Sequence, residues 1–146
     1  MAPGVDAGMM AQQPDRVRQY LRRRGCTPSV VKGGFEGLVS HWESAVEAVG
    51  EGYDLTLGDY LNDMEMRDVL AGALEVSNSE QRKGAERRID SADRRFRELT
   101  VDCSHVCGDQ VALENGHDPT VQWWYYRRPR QPAPDFEEEL REAGLV

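Results

Sequence analysis

Val31, Phe35, Leu38, Trp42, Ala45 and Val49 follow one another at alternating spacings of four and three. That rhythm places all six on one seam of a helix. Thr27-Pro28 just ahead supplies an N-cap followed by proline at the first helical position. A second seam, Ala85, Ile89, Ala92, Phe96 and Leu99, predicts a helix over 79–101, with Ser77 and Glu80 spaced as a capping box before it. At ~1.5 Å per residue that helix would run roughly 30–35 Å.

Between the seams, Thr56 can cap a helix carrying Leu57, Tyr60, Leu61 and Met64. The stripe then changes phase to Met66, Val69, Leu70, Ala73 and Leu74, which predicts a kink or a break near Asn62–Asp63. A shorter helix is expected over 14–24, opened by Pro14 and Asp15, lined by Val17, Tyr20 and Leu21, and stopped by Gly25.

Past residue 102 the pattern changes. Asn115-Gly116 is a tight-turn signal between two stretches rich in β-favouring residues, so 110–114 is expected to pair with 120–127. PRQPAP reads as extended chain, and Asp135 as the cap of a final helix that turns Phe136 and Leu140 inward. The fold class is therefore mainly α: a bundle of about four to five helices with a small C-terminal β-hairpin or extended arm. The expected organisation is a disordered leader at 1–13, a bundle at 14–101, an arm at 102–134 packed on it, and a terminal helix at 135–146.

A chain of 146 residues fits one domain with a core that needs no staples. Three cysteines without an export signal suggest free thiols and a cytoplasmic setting. No apolar run approaches a membrane span. The net charge of −8 is unevenly spread: residues 14–32 carry six positive charges and one negative, whereas 35–76 carry ten acids and only Arg67. This suggests that the basic first helix pairs with the acidic middle. On 82–97, Asp90 with Arg94 and Asp93 with Arg97 are spaced as ion pairs on a solvated face.

Four groups of residues are candidates for chemistry or binding. VQWWYYRRPR sets four aromatics against three arginines; on a strand, Trp124 and Tyr126 would share an outer face with Arg127, Arg128 and Arg130 beside it. Gly34, Gly37 and His41 can share a flank of the apolar seam and form a cleft. Cys103, His105, Cys107 and His117 have the donor types of a zinc site, although three residues between the cysteines, and no second pair, fit a knuckle poorly. Asp59 and Asp63 lie one turn apart, with Arg67 one turn further as a partner for Asp63. No nucleophile motif is present, and no cofactor or small-molecule ligand is indicated. GYDLTLGDYLNDMEMRDVL resembles segments of small bacterial proteins without pointing to a family, and it implies no activity.

These features favour a small soluble non-enzymatic protein-interaction module, binding a protein partner or a second copy of itself. The acidic block suits an immunity- or antitoxin-like protein that covers a basic partner. One alternative is a single-stranded nucleic-acid binder using the aromatic–arginine arm, which the acidic total disfavours. The other is a zinc-dependent protein using Cys103, Cys107 and His117.

Overall fold

The structure is a computed structural model that describes residues 15–146; the leader expected at 1–13 lies outside them. Among the described residues it contains seven α-helices and one two-stranded antiparallel sheet, the mainly helical architecture that the two seams imply. No described helix is long and apolar enough to cross a membrane.

Helix α1 (Arg16–Arg23) is capped by Asp15, whose side chain accepts from the backbone N–H of Arg18, and it buries Val17 and Leu21. Helix α2 (Pro28–Gly50) starts at the Thr27 cap and buries every member of the first seam, together with Val39 and Val46. Its path bends at Gly34, where φ is 62° and ψ is −155°. Only glycine takes that conformation at little cost, and a Cβ there would lie 3.0 Å from the Arg18 guanidinium.

Helix α3 (Leu57–Val76) is capped reciprocally by Thr56 and Asp59. It runs unbroken, in contrast to the kink or break expected near Asn62–Asp63. The change of phase instead records a change of neighbours. Tyr60 packs on Phe136 near the C-terminus, whereas Val69 lines a cavity with Arg24 and Cys26, and Gly72 lies against Tyr20 of α1.

The helix expected over 79–101 is two helices. A single turn, α4 (Ser79–Arg82), is capped by Asn78 and Gln81 rather than by Ser77 and Glu80. Gly84, with φ at 80°, then turns the chain into α5 (Ala85–Leu99), which buries Ala85, Ile89, Ala92 and Phe96 against α2.

Strand β1 (Thr100–Asp102) pairs with β2 (Arg127–Pro129) in the register Thr100 with Pro129 and Asp102 with Arg127. The strands expected at 110–114 and 120–127 do not form. Residues Asp109–Asn115 are helix α6, and Gly116 closes it in the left-handed conformation. Asn-Gly favours positive φ, which serves a helix C-terminus as well as a hairpin.

Helix α7 (Pro134–Glu142) buries Phe136 and Leu140 as expected, although Ala133 rather than Asp135 is its cap. Phe136 packs on Tyr53 and Tyr60 at ring distances of 4.9 and 5.5 Å, tying the C-terminus to the core.

The charge segregation is partly resolved by pairing within the chain. Arg24, at the C-cap of α1, meets Asp68 of α3 at 2.9 Å, and Arg88 of α5 bridges Glu36 and Glu43 of α2 at 2.8 and 2.6 Å.

Candidate functional site

The aromatic stretch is not a strand. Trp123–Tyr126 form one turn of 3₁₀ helix, in which residues three apart eclipse each other. Trp123 and Tyr126 are consequently the half-buried pair, while Trp124 and Tyr125 point inward and are 3% and 4% exposed. The outer face expected to combine Trp124 with Tyr126 does not exist.

The adjoining arginines divide. Arg127 is committed internally, bonding to Thr100 Oγ1 and Asp102 at 2.7 Å each and to the carbonyls of Arg97 and Thr100 at 3.1 and 3.0 Å. The side chains of Arg128 and Arg130 make only long hydrogen bonds, each 3.4 Å to a backbone carbonyl. Trp124 lies 4.4 Å beneath the Arg67 guanidinium, and Trp123 lies 3.7 Å beneath Arg97. The two cations that stack on the tryptophans therefore come from the bundle. The stretch is a buried strap. Its one orphan is Trp124 Nε1, which has no hydrogen-bond partner among the described residues.

The cysteine–histidine segment forms a different device from the one its donor types suggest. His105 is 2% exposed, and its Nδ1 accepts from the Cys107 backbone N–H at 3.0 Å. The proton of the neutral ring therefore sits on Nε2 and is donated to Nδ1 of His117 at 2.9 Å. The two imidazoles are nearly coplanar, and both lie flat on the Tyr125 ring at 4.7 and 4.5 Å. Burial and the neighbouring His117 hold His105 below its ordinary pKa.

Every acceptor nitrogen of the pair is thus used inside the protein. Burial pushes the Cys103 thiol up to about 11 and raises Cys107 as well, the reverse of what thiolate ligation favours. Among the described residues no three His, Cys, Asp or Glu side chains converge as a metal site. Cys103, Cys107 and His117 are not brought together as ligands.

The expected cleft survives only in part. His41 is half-exposed and its Nε2–H donates to Asp63 at 2.9 Å; Asp63 also accepts from the Tyr53 hydroxyl at 2.5 Å. Asp63 is 9% exposed, and the backbone of Tyr53 adopts φ of 57° to reach it. Arg67 is therefore not the partner of Asp63. It bonds to Asp93 instead, which in turn removes Asp93 from Arg97.

A cavity of about 360 Å³ opens beside His41, shared with Cys26, Asn62, Glu65 and Met66. Neither Gly34 nor Gly37 lines it; Gly34 is covered by Arg18, and Gly37 faces open space. Asp59 is exposed at its cap, so it makes no pair with buried Asp63.

Sequence reasoning missed the most exposed apolar segment. Helix α6 buries none of its seven residues. Leu113 is 78% exposed, and Val121 beyond the helix is 63% exposed, with Val111 also open. Asp109, Glu114 and Asp118 are exposed among them, and 103–126 contains no Lys or Arg. Two glycines with φ of 98° and 63°, Gly108 and Gly116, bracket the helix. The segment is held to the body by the His105–His117 bond and by Tyr126, whose hydroxyl donates to the His117 carbonyl at 3.4 Å. The signal was present in DQVALEN, but its apolar residues at 111 and 113 also fit a strand alternation.

No protein-family model, curated protein or solved structure matches the chain.

Proposed function

We propose that this protein is a non-enzymatic protein-interaction module whose contact segment is 109–121. One observation carries the reading: Leu113 stands 78% exposed on a helix that contributes nothing to the core. A large apolar side chain left in water forgoes roughly 1.5–3 kcal/mol that burial would return. Leu113 belongs to a segment that also exposes Val111, Val121 and the carboxylates of Asp109, Glu114 and Asp118, the mix of apolar and charged side chains that protein interfaces draw on. An acidic contact segment also suits an immunity- or antitoxin-like role, in which complementary fields speed capture of a basic partner.

The arm that sequence favoured as the contact is a weaker candidate, because Trp124 and Arg127 are occupied within the fold. The same occupancy disfavours stacking of single-stranded nucleic acid on these rings.

The test compares the wild-type chain with Leu113→Asp by affinity capture from the native source and by sedimentation. The expected result is that the variant melts like the wild type and loses the stoichiometric contact, whether to another protein or to a second copy. Retention of every wild-type contact by the variant overturns the reading.

A further inference from the structure

The same chain carries a surface of opposite character. Between α1 and the first turn of α2 lies a groove of about 530 Å³, lined by Arg18, Arg22, Cys26, Pro28, Val31 and Lys32. Its lining combines apolar Cys26, Pro28 and Val31 with cationic Arg18, Arg22 and Lys32. Arg18 is fixed there by Asp15 and by the carbonyls of Val31 and Lys32. Arg22 and Lys32 are exposed and pair with no carboxylate among the described residues. The groove has the size of a small-ligand pocket, ~300–1,000 Å³, which also suffices for a few side chains.

We infer that the occupant of this groove is segment 109–121 of a second copy of the chain, docked head to tail. The inference rests on the reading that 109–121 is the contact segment, and it names the partner. Leu113 is the apolar anchor, and Val31, Pro28 and Cys26 are the apolar lining that receives it. Asp109 precedes Leu113 by one helical turn on the same face, and Glu114 adjoins it. These carboxylates meet Arg22 and Lys32 across the contact.

Segment 103–126 has no cation of its own, and the groove has no acid on its lining. Two whole chains of net charge −8 repel at long range. At physiological ionic strength, however, the screening length of about 8 Å mutes that repulsion and leaves contact-range pairs in force. Passed head to tail from copy to copy, the contact is heterologous, and it either closes on itself or leaves one segment and one groove open at its ends. The assembly is a ring or a short filament.

The experiment is sedimentation velocity on the full chain across a concentration series, with two double variants. Asp109→Lys/Glu114→Lys reverses the segment, and Arg22→Glu/Lys32→Glu reverses the groove. The wild type is expected to rise from one chain to two or more with concentration, and each variant alone to stay at one. An equimolar mixture of the two variants is expected to associate again, because each then offers the complement of the other. Circular dichroism and melting temperature establish that both variants are folded.

A wild type that remains monomeric throughout, or a mixture of variants that stays monomeric, overturns the inference. A monomeric wild type that still captures a foreign protein through Leu113 overturns head-to-tail docking while leaving 109–121 as the contact segment.

Discussion

Arg67 and Asp93 meet through two parallel hydrogen bonds, Nε to Oδ1 at 3.0 Å and Nη2 to Oδ2 at 2.9 Å, between the rings of Trp42 and Trp124. Trp42 Nε1 donates to the same carboxylate at 2.8 Å, so α2, α3, α5 and the aromatic turn converge on one ion pair. The Arg67 side chain is 9% exposed and that of Asp93 is 19% exposed.

Removing one partner of such a pair strands the other in a poorly solvated site, a loss that runs to about 3–5 kcal/mol in buried settings. Arg67→Ala is expected near the low end, about 3 kcal/mol, since Asp93 keeps some access to water. Arg67→Lys is expected to recover little, because a single ammonium supplies neither the bidentate fork nor the planar stack. Urea denaturation followed by tryptophan fluorescence measures both. A loss below roughly 1 kcal/mol for Arg67→Ala would mean that the pair is not holding the strap.

Gly72 faces Tyr20 so closely that an added Cβ would fall 1.9 Å from the phenolic oxygen. Alanine is ordinarily the better helix residue by roughly 1 kcal/mol. Gly72→Ala is expected to destabilise the wild type by ~1–3 kcal/mol, as overpacking does. It is expected to stabilise a Tyr20→Ala background by about 1 kcal/mol. A double-mutant cycle in urea reads the change of sign, and the same sign in both backgrounds would refute the contact.

The His105–His117 pair sets a pH dependence. His105 is held below its ordinary value of 6.5 by burial and by His117, against a smaller opposing pull from Asp109. The unfolded chain then binds the proton more readily than the folded one, so stability is complete above pH 6.5 and declines as pH falls through and below it. Structurally, a proton cannot be added to His105 Nδ1 without displacing the Cys107 N–H. Melting temperatures between pH 7.5 and 5 are expected to fall for the wild type, and the part of that fall caused by this pair is expected to vanish in His105→Gln. Equal slopes in the two proteins would refute the assignment.

Cys103 has its thiol pushed up to about 11 from 9.0 by burial. At neutral pH that shift alone lowers its thiolate fraction roughly a hundredfold. Disulfide-reagent labelling followed by peptide mapping is expected to find Cys103 far slower in the native protein than after denaturation. Fast native labelling would refute the burial that raises the thiol.

Much of the bundle was legible because a helical seam states its own requirement. Val31 through Val49 and the Phe136–Leu140 pair are buried where their spacing puts them. What was not legible depended on choices between local and distant partners. Asp63 with Arg67 and Asp93 with Arg97 have good helical spacing, but exposed pairs of that kind are worth only about 0.3–0.5 kcal/mol. Partners across the core, His41 and Tyr53 for Asp63 and Arg67 for Asp93, take precedence once these groups are buried. Asn115-Gly116 marks a left-handed residue without saying whether a strand or a helix ends there. The exposed segment was hidden for the opposite reason: Leu113 and Val121 look like core residues in sequence, and only the fold shows that they stand open among the described residues.

The pairing of Thr100–Asp102 with Arg127–Pro129 makes residues 103–126 a closed excursion whose two ends are fastened side by side. The backbone bonds from Cys103 to Tyr126 and from Val106 to Tyr125 zip its base further. Lengthening such an excursion at its tip adds little closure penalty, about 0.6 kcal/mol per doubling, and leaves the bundle's own hydrogen bonds untouched. Residues inserted or exchanged around Asn115 would therefore change the exposed tip while leaving the helical scaffold intact. The fold separates a packed frame from a tip at which new sequence can be grafted without disturbing it.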